Sequence, residues 1–218
     1  MNELRELLLE VALEILREEE TPLALRKVAE RAGKSRTAPY LVFGEQQDGG
    51  GLIGLKLAVA TRGAEMLHSA LLKEITSVKD ARVALKGATN AFFTFVSANR
   101  RLFRLMFGPE VAEVSGSSTN DGELMIKHPE FKKLFSAREA LEDVLFELIE
   151  RLQQAGHVKD SDLSDIAMRA WMSLQGTASI MLDPVFSRFS SDLETTDDYA
   201  DLAIRIILDE STTTNRLK

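Results

Sequence analysis

Between Leu25 and Tyr40 two short apolar-faced segments meet at a glycine, and this junction limits what the start of the chain can become. Leu25, Val28, Ala29 and Ala32 recur at i, i+3, i+4 and i+7, the spacing of one helix face. Gly33 follows where a helix end takes a left-handed residue, a conformation glycine adopts at least cost. Ser35 then offers an N-cap for a further helix. Pro39 falls within that helix's first turn, where few helical N–H bonds have begun. Ala38, Leu41, Val42 and Phe43 are expected to pack inward, with Arg36, Thr37 and Tyr40 facing out. The product is a helix-turn-helix. From Arg26 to Tyr40, five basic residues (Arg26, Lys27, Arg31, Lys34 and Arg36) stand against one acid, Glu30, while the whole chain carries −7. A small cationic surface on an anionic body fits a protein that offers one face to nucleic acid. The plain alternative is a solvated helix face.

The rest of the chain is compatible with that reading. Its 218 residues are 44% hydrophobic and 28% charged, as in ordinary globular proteins. Cysteine is absent, which excludes disulfides and thiolate metal sites. Glu3, Arg5, Glu6 and Glu10 interrupt any signal-peptide core. No apolar run is long enough to span a membrane, so a cytoplasmic setting is expected. Net negative charge does not oppose sequence-specific DNA binding, which needs cations only where the protein meets phosphate.

Helical periodicity continues throughout, and strand signals are missing. Leu4, Leu7, Leu8, Val11, Ala12, Ile15 and Leu16 predict a first helix over about residues 2–18. Pro22 marks the segment that follows its end. Beyond the glycine-rich residues 44–51, helices are expected at about 52–75, 80–98 (capped by Asp80), 100–113, 129–155 (closed by Gly156), 163–183 and 197–210. Residues 115–122 read as a mobile loop and 211–218 as a frayed tail. The expected fold is all-α, with a helix-turn-helix unit at 1–50, a larger helical unit at 51–210 and a tail at 211–218.

The order of these features resembles TetR-type bacterial transcriptional regulators. The residues that carry the likeness are Leu25-Arg-Lys-Val-Ala-Glu-Arg-Ala-Gly33, Ser35, Ala38-Pro-Tyr40 and Phe43, over about residues 4–43. Asn99-Arg-Arg-Leu-Phe-Arg-Leu-Met-Phe107 and Ala170-Trp-Met-Ser-Leu-Gln-Gly176 are similar to a subgroup with a Trp…His-Gly signature, with Gln175 in place of the histidine. There are departures too. Ala24 stands where the family has a Ser or Thr cap, Lys34 replaces an apolar turn residue, and the lysine opening the family's fourth helix is missing. The resemblance implies a three-helix DNA-reading unit and a helical body that dimerises and binds a ligand, with repression as the default.

Chemistry assigns roles within that frame. Residues at the start of a helix lying in the major groove reach base edges. Arg36 and Thr37 are therefore expected to read sequence. Arg26, Lys27, Lys34 and Tyr40 would hold phosphates, with Ser35 at the head of the helix completing the set. So small a unit needs a second copy for specificity, hence a homodimer on near-palindromic double-stranded DNA. The helix over 163–183 is apolar nearly all round and must be covered on every side. Its small residues Ala170, Ser173 and Thr177, with Ile180, are expected to meet a partner helix, joined by Leu202 and Ile206 of the last helix.

Phe92, Phe103, Met106, Phe107, Met125, Phe146 and Trp171 give the body an adaptable interior suited to a small apolar ligand, with Gln175 and Asn90 as polar groups able to orient it. Core packing is the alternative for each. By resemblance, the ligand would tilt the family's fourth helix, with Gly49-Gly50-Gly51 as the compliant point. No cofactor or metal is expected: His68, His128 and His157 share no ligand spacing. Asp197-Asp198-Tyr-Ala-Asp201 superficially matches the acidic magnesium motif of helical prenyl-diphosphate enzymes, but acids are expected at a helix N-terminus on dipole grounds. A helical adaptor that docks an acidic protein partner is the other alternative.

Overall fold

The computed structural model describes residues 2–18, 22–44, 50–109, 111, 129–158, 162–183, 185 and 192–208. Among these the chain is all-α, with no strand. The helices are α1 (Asn2–Glu18), α2 (Leu25–Arg31), α3 (Ala38–Phe43), α4 (Gly50–Ser77), α5 (Ala81–Ala98), α6 (Arg100–Phe107), α7 (Pro129–Gln154), α8 (Leu163–Leu182) and α9 (Thr196–Ile207). By contacts the chain divides into two compact units, residues 1–66 with 99–140 and residues 67–98 with 141–218. This division differs from the partition by role at residue 50.

In the first unit α1 packs against α2, α3 and α6, and α2 against α3. Leu8, Leu9, Ala12 and Ile15 of α1 are buried, as are Val28 and Ala29 of α2 and Phe43 of α3. Charged side chains fasten α1 to its neighbours. Arg5 pairs with Glu130 of α7 at 2.7 Å, and Glu130, 5% exposed, also accepts from Lys133 at 2.8 Å. Glu6 pairs with Arg62 of α4, and Arg101 of α6 donates to the Ile15 carbonyl at 3.4 Å. A carboxylate as buried as that of Glu130 is tolerated because both of its oxygens are met by cations.

The second unit has its own core. Ile75 of α4, Leu85 and Ala88 of α5, Leu148, Ile149 and Leu152 of α7, Ile166 and Ala170 of α8 and Ile207 of α9 form one buried cluster. Arg151 reaches from α7 to the end of α4 and donates to the carbonyls of Ile75 and Val78, both at 2.6 Å. Those C-terminal carbonyls have no partner within their own helix. α9 packs against both α5 and α8. Its capping box joins Thr195 and Asp198. Hydrogen bonds from the Thr195 N–H and hydroxyl, then from the Glu194 N–H, hold the Asp198 carboxyl below its usual range. Asp80 caps α5 as expected, accepting from the Val83 N–H at 2.9 Å.

Several boundaries differ from expectation. α4 runs for 28 residues and begins at Gly50. α6 stops at Phe107 because Pro109 pushes Gly108 into an extended conformation (φ −85°, ψ 174°). Residues 45–49, 115–122 and 211–218 lie outside the described residues, and so does Gly49 of the suggested compliant run.

Candidate nucleic-acid interface

The turn between α2 and α3 is built as its glycine requires. Gly33 has φ +65°, and a Cβ there would meet nothing within 4 Å, so only backbone conformation selects glycine. Lys34 N–H donates to the Ala29 carbonyl at 2.9 Å and Gly33 N–H to that of Glu30 at 3.1 Å. This pair of bonds is the Schellman closure. At its other end α2 starts from Ala24 in an extended conformation, with no side-chain cap.

The entry to α3 is a correction. With Ser35 as N-cap, its carbonyl would accept from the N–H of residue 39, and Pro39 has none. The Ser35 carbonyl instead accepts from Ala38 N–H at 3.0 Å, closing a turn, and Thr37 becomes the N-cap. The Ser35 and Thr37 hydroxyls bond to one another at 3.0 Å. Lys34, Ser35, Arg36 and Thr37 are all exposed, and they lie ahead of the helix rather than within its first turn.

The face that α3 shows also differs from expectation. Ala38, Pro39 and Phe43 are buried. Leu41, expected inside, is 73% exposed. Tyr40, expected outside, is half-buried against α4. A Cβ on Gly51 would come within 2.7 Å of the Tyr40 ring and 2.9 Å of Leu25 Cδ1. Gly51 thus provides close approach within a helix, where a compliant point was expected. Of the basic residues, Arg31 is engaged by α1, pairing with Glu18 and with Glu14 at 3.7 Å. Arg26 is exposed and Lys27 half-buried. The cationic surface is therefore carried by Arg26, Lys34 and Arg36, with Lys27 at its margin.

The residues expected around a ligand are divided between the two units. Phe103, Met106 and Phe107 share α6 in the first unit, with the Phe103 and Phe107 rings 5.1 Å apart. Arg138 donates to the Met106 carbonyl at 2.6 Å and sits 6.0 Å from the Phe107 ring centre. Phe92, Phe146, Trp171 and Gln175 belong to the second unit, where Phe92 is buried and Phe146 is 37% exposed. Met125 lies outside the described residues. Gln175 Nε2 and Asn90 Oδ1 are buried with no hydrogen-bond partner among the described residues. An unmet buried donor or acceptor costs about 1–3 kcal/mol, a cost that a bound polar group could relieve at either side chain.

The residues expected at a dimer contact separate in a similar way. Ala170, Ser173 and Thr177 are buried within the protomer, and Ser173 Oγ donates to the Ala203 carbonyl of α9 at 3.4 Å. They face the chain's own helices, which leaves them no surface for a partner. Ile180 and Leu202 are half-buried and Ile206 is 53% exposed. The open side of α8 carries Met168 (58% exposed), Met172 (57%), Gly176 and Ser179, with the exposed Arg169 beside the methionines. Sequence reasoning placed neither Met168 nor Met172 at a contact and grouped Met172 with the adaptable interior, although their i, i+4 spacing with Gly176 was visible. No group of acids and histidines that could hold a metal occurs among the described residues, and no helix there could cross a membrane.

No family model matches the chain. A curated relative, the HTH-type transcriptional activator FasR of Mycolicibacterium smegmatis, is 27% identical over 157 residues, and the chain spans 58% of that relative's length. Among solved structures, a protein of unknown function from Rhodococcus sp. RHA1 matches with a TM-score of 0.69 at 24% identity, over 94% of each chain. The fatty acid degradation regulator FadR from Bacillus halodurans matches with a TM-score of 0.65 at 13% identity, over 94% of this chain and 98% of that one. PfmR, a TetR family transcriptional regulator from Thermus thermophilus, matches with a TM-score of 0.60 at 16% identity, over 92% of this chain and 96% of that one. At these identities the likeness is one of fold.

Proposed function

We propose that this chain, which has the fold of TetR-type regulators, is a sequence-specific DNA-binding transcriptional regulator whose grip on DNA responds to a small molecule. The observation that carries the reading is the exposed run Lys34-Ser35-Arg36-Thr37, held by a closed glycine turn ahead of α3, with the exposed Arg26 at the start of α2. A short helix projecting from such a turn suits the major groove, and the cations around it suit the phosphates. Arg36 is assigned to a base edge and Lys34 and Arg26 to the backbone. Tyr40 is assigned first to packing on Gly51. The relative from Mycolicibacterium smegmatis is named an activator, so no sign of the effect on transcription is assigned.

The working unit in this reading is a two-fold dimer joined through the open side of α8 and the Ile206 flank of α9. Exposed methionines beside Gly176 and Ser179 support that choice, since small residues let a second helix come close. The inducer is proposed to have an apolar body and a polar group that satisfies Gln175 Nε2. FadR is named for fatty acid degradation, and an acyl compound is a fitting first candidate.

The test uses duplexes recovered from a random pool by the wild-type protein. Arg36→Ala is expected to weaken binding to them by about 1–3 kcal/mol and to relax preference at one base pair per half-site. Equal weakening on every sequence would make Arg36 a phosphate contact. A wild type that retains no sequence-dependent complex would remove the function itself.

A further inference from the structure

We propose that Leu41 is a specificity-determining residue that reads the C5-methyl of a thymine in the DNA target. The inference rests on the DNA-binding reading and deepens it. Of the six residues of α3, three are buried and two half-buried, while Leu41 is 73% exposed. It is therefore the one side chain of that helix fully open to an approaching partner. Thr37 precedes it by four positions and already has right-handed helical dihedrals (φ −87°, ψ −17°), so the two share a face. The Thr37 hydroxyl is bonded to that of Ser35, which leaves its methyl as the uncommitted group. Lys34 and Arg36, both exposed, adjoin this small apolar surface in sequence.

A branched aliphatic side chain gains nothing from phosphate, and its contact with sugar C–H groups carries no sequence information. Among the groups that base pairs present in the major groove, the thymine methyl is the apolar one. An exposed leucine within a cationic, groove-sized surface is thus matched to a thymine, and it favours no cytosine or guanine edge.

The experiment replaces each thymine of a selected duplex by deoxyuridine, which removes the methyl and keeps every hydrogen-bonding group. Binding is followed by fluorescence anisotropy for the wild type, Leu41→Ala and Leu41→Met. At one thymine per half-site the wild type is expected to lose about fourfold in affinity, the worth of one buried methyl. Leu41→Met should keep that sensitivity. Leu41→Ala should bind both duplexes equally, with an unchanged circular dichroism spectrum. If Leu41→Ala loses the same factor as the wild type at every deoxyuridine, or weakens uniformly on all sequences, the inference is wrong and the DNA reading stands. If the wild type selects no sequence, both fall together.

Discussion

Phe93→Ala is expected to lower the free energy of unfolding by about 3–5 kcal/mol, the range for removing a fully buried phenylalanine. Phe93 is 0% exposed. Its ring meets Phe92 edge-on, with centres 5.2 Å apart and planes at 86°, and lies 6.3 Å from the ring of Tyr199 on α9. The alanine would leave a hole where α5 and α9 pack, in a unit whose helices surround one shared cluster. Urea unfolding followed by circular dichroism measures the loss. Phe135→Ala is the matched control: that ring is 55% exposed, so a change within about 0.5 kcal/mol is expected. Equal losses for the two would mean that burial does not rank these positions.

In the proposed dimer, Met172→Lys is expected to separate the two copies into single chains. Met172 sits at the middle of the open side of α8, one turn from Met168 and one from Gly176. In a two-fold pairing each new ammonium would be buried beside its own copy and one turn from the exposed Arg169, with no acid among Met168, Gly176 and Ser179 to meet it. An uncompensated buried charge costs about 3–5 kcal/mol, more than a hundredfold in the dissociation constant. Light scattering at micromolar concentration should then move from about 48 kDa, twice the chain mass, to 24.2 kDa. Circular dichroism should not change, because this side chain is 57% exposed in the protomer. A mass that stays at the dimer value would place the contact elsewhere.

How far the sequence carries can be judged from particular residues. The turn at Gly33 was legible because a left-handed position after an apolar face has one inexpensive occupant, and Asp80 and Gly156 were legible for similarly local reasons. The start of α3 was harder. Ser35 satisfies the rules for a cap, and the missing N–H of Pro39 that overrides it acts four residues away. The buried face of α3 runs through Pro39 and Phe43, with Tyr40 drawn toward Gly51, so Leu41 and Tyr40 exchanged places. Tyr40 is further set by Gly51, a contact across eleven residues that no window on α3 contains. Periodicity showed α8 to be apolar all round but could not say which side its own chain covers. The bond from Ser173 to Ala203 decides that, and it depends on where α9 packs. The ligand residues were chosen by type, and type alone does not separate a filled core from a cavity. Gln175, by contrast, was chosen as a polar group in an apolar helix, and its unmet Nε2 retains interest for that reason.

The proposed function requires α3 and the turn before it, presented twice, to read a two-fold DNA sequence. Selection of bound duplexes from a random pool by the wild-type protein tests it directly. Two inverted half-sites are expected to be enriched, with centres roughly one helical turn apart, about 10 base pairs or a multiple of that. A pool that emerges without enrichment, or enriched for a single site with no inverted partner, would contradict it.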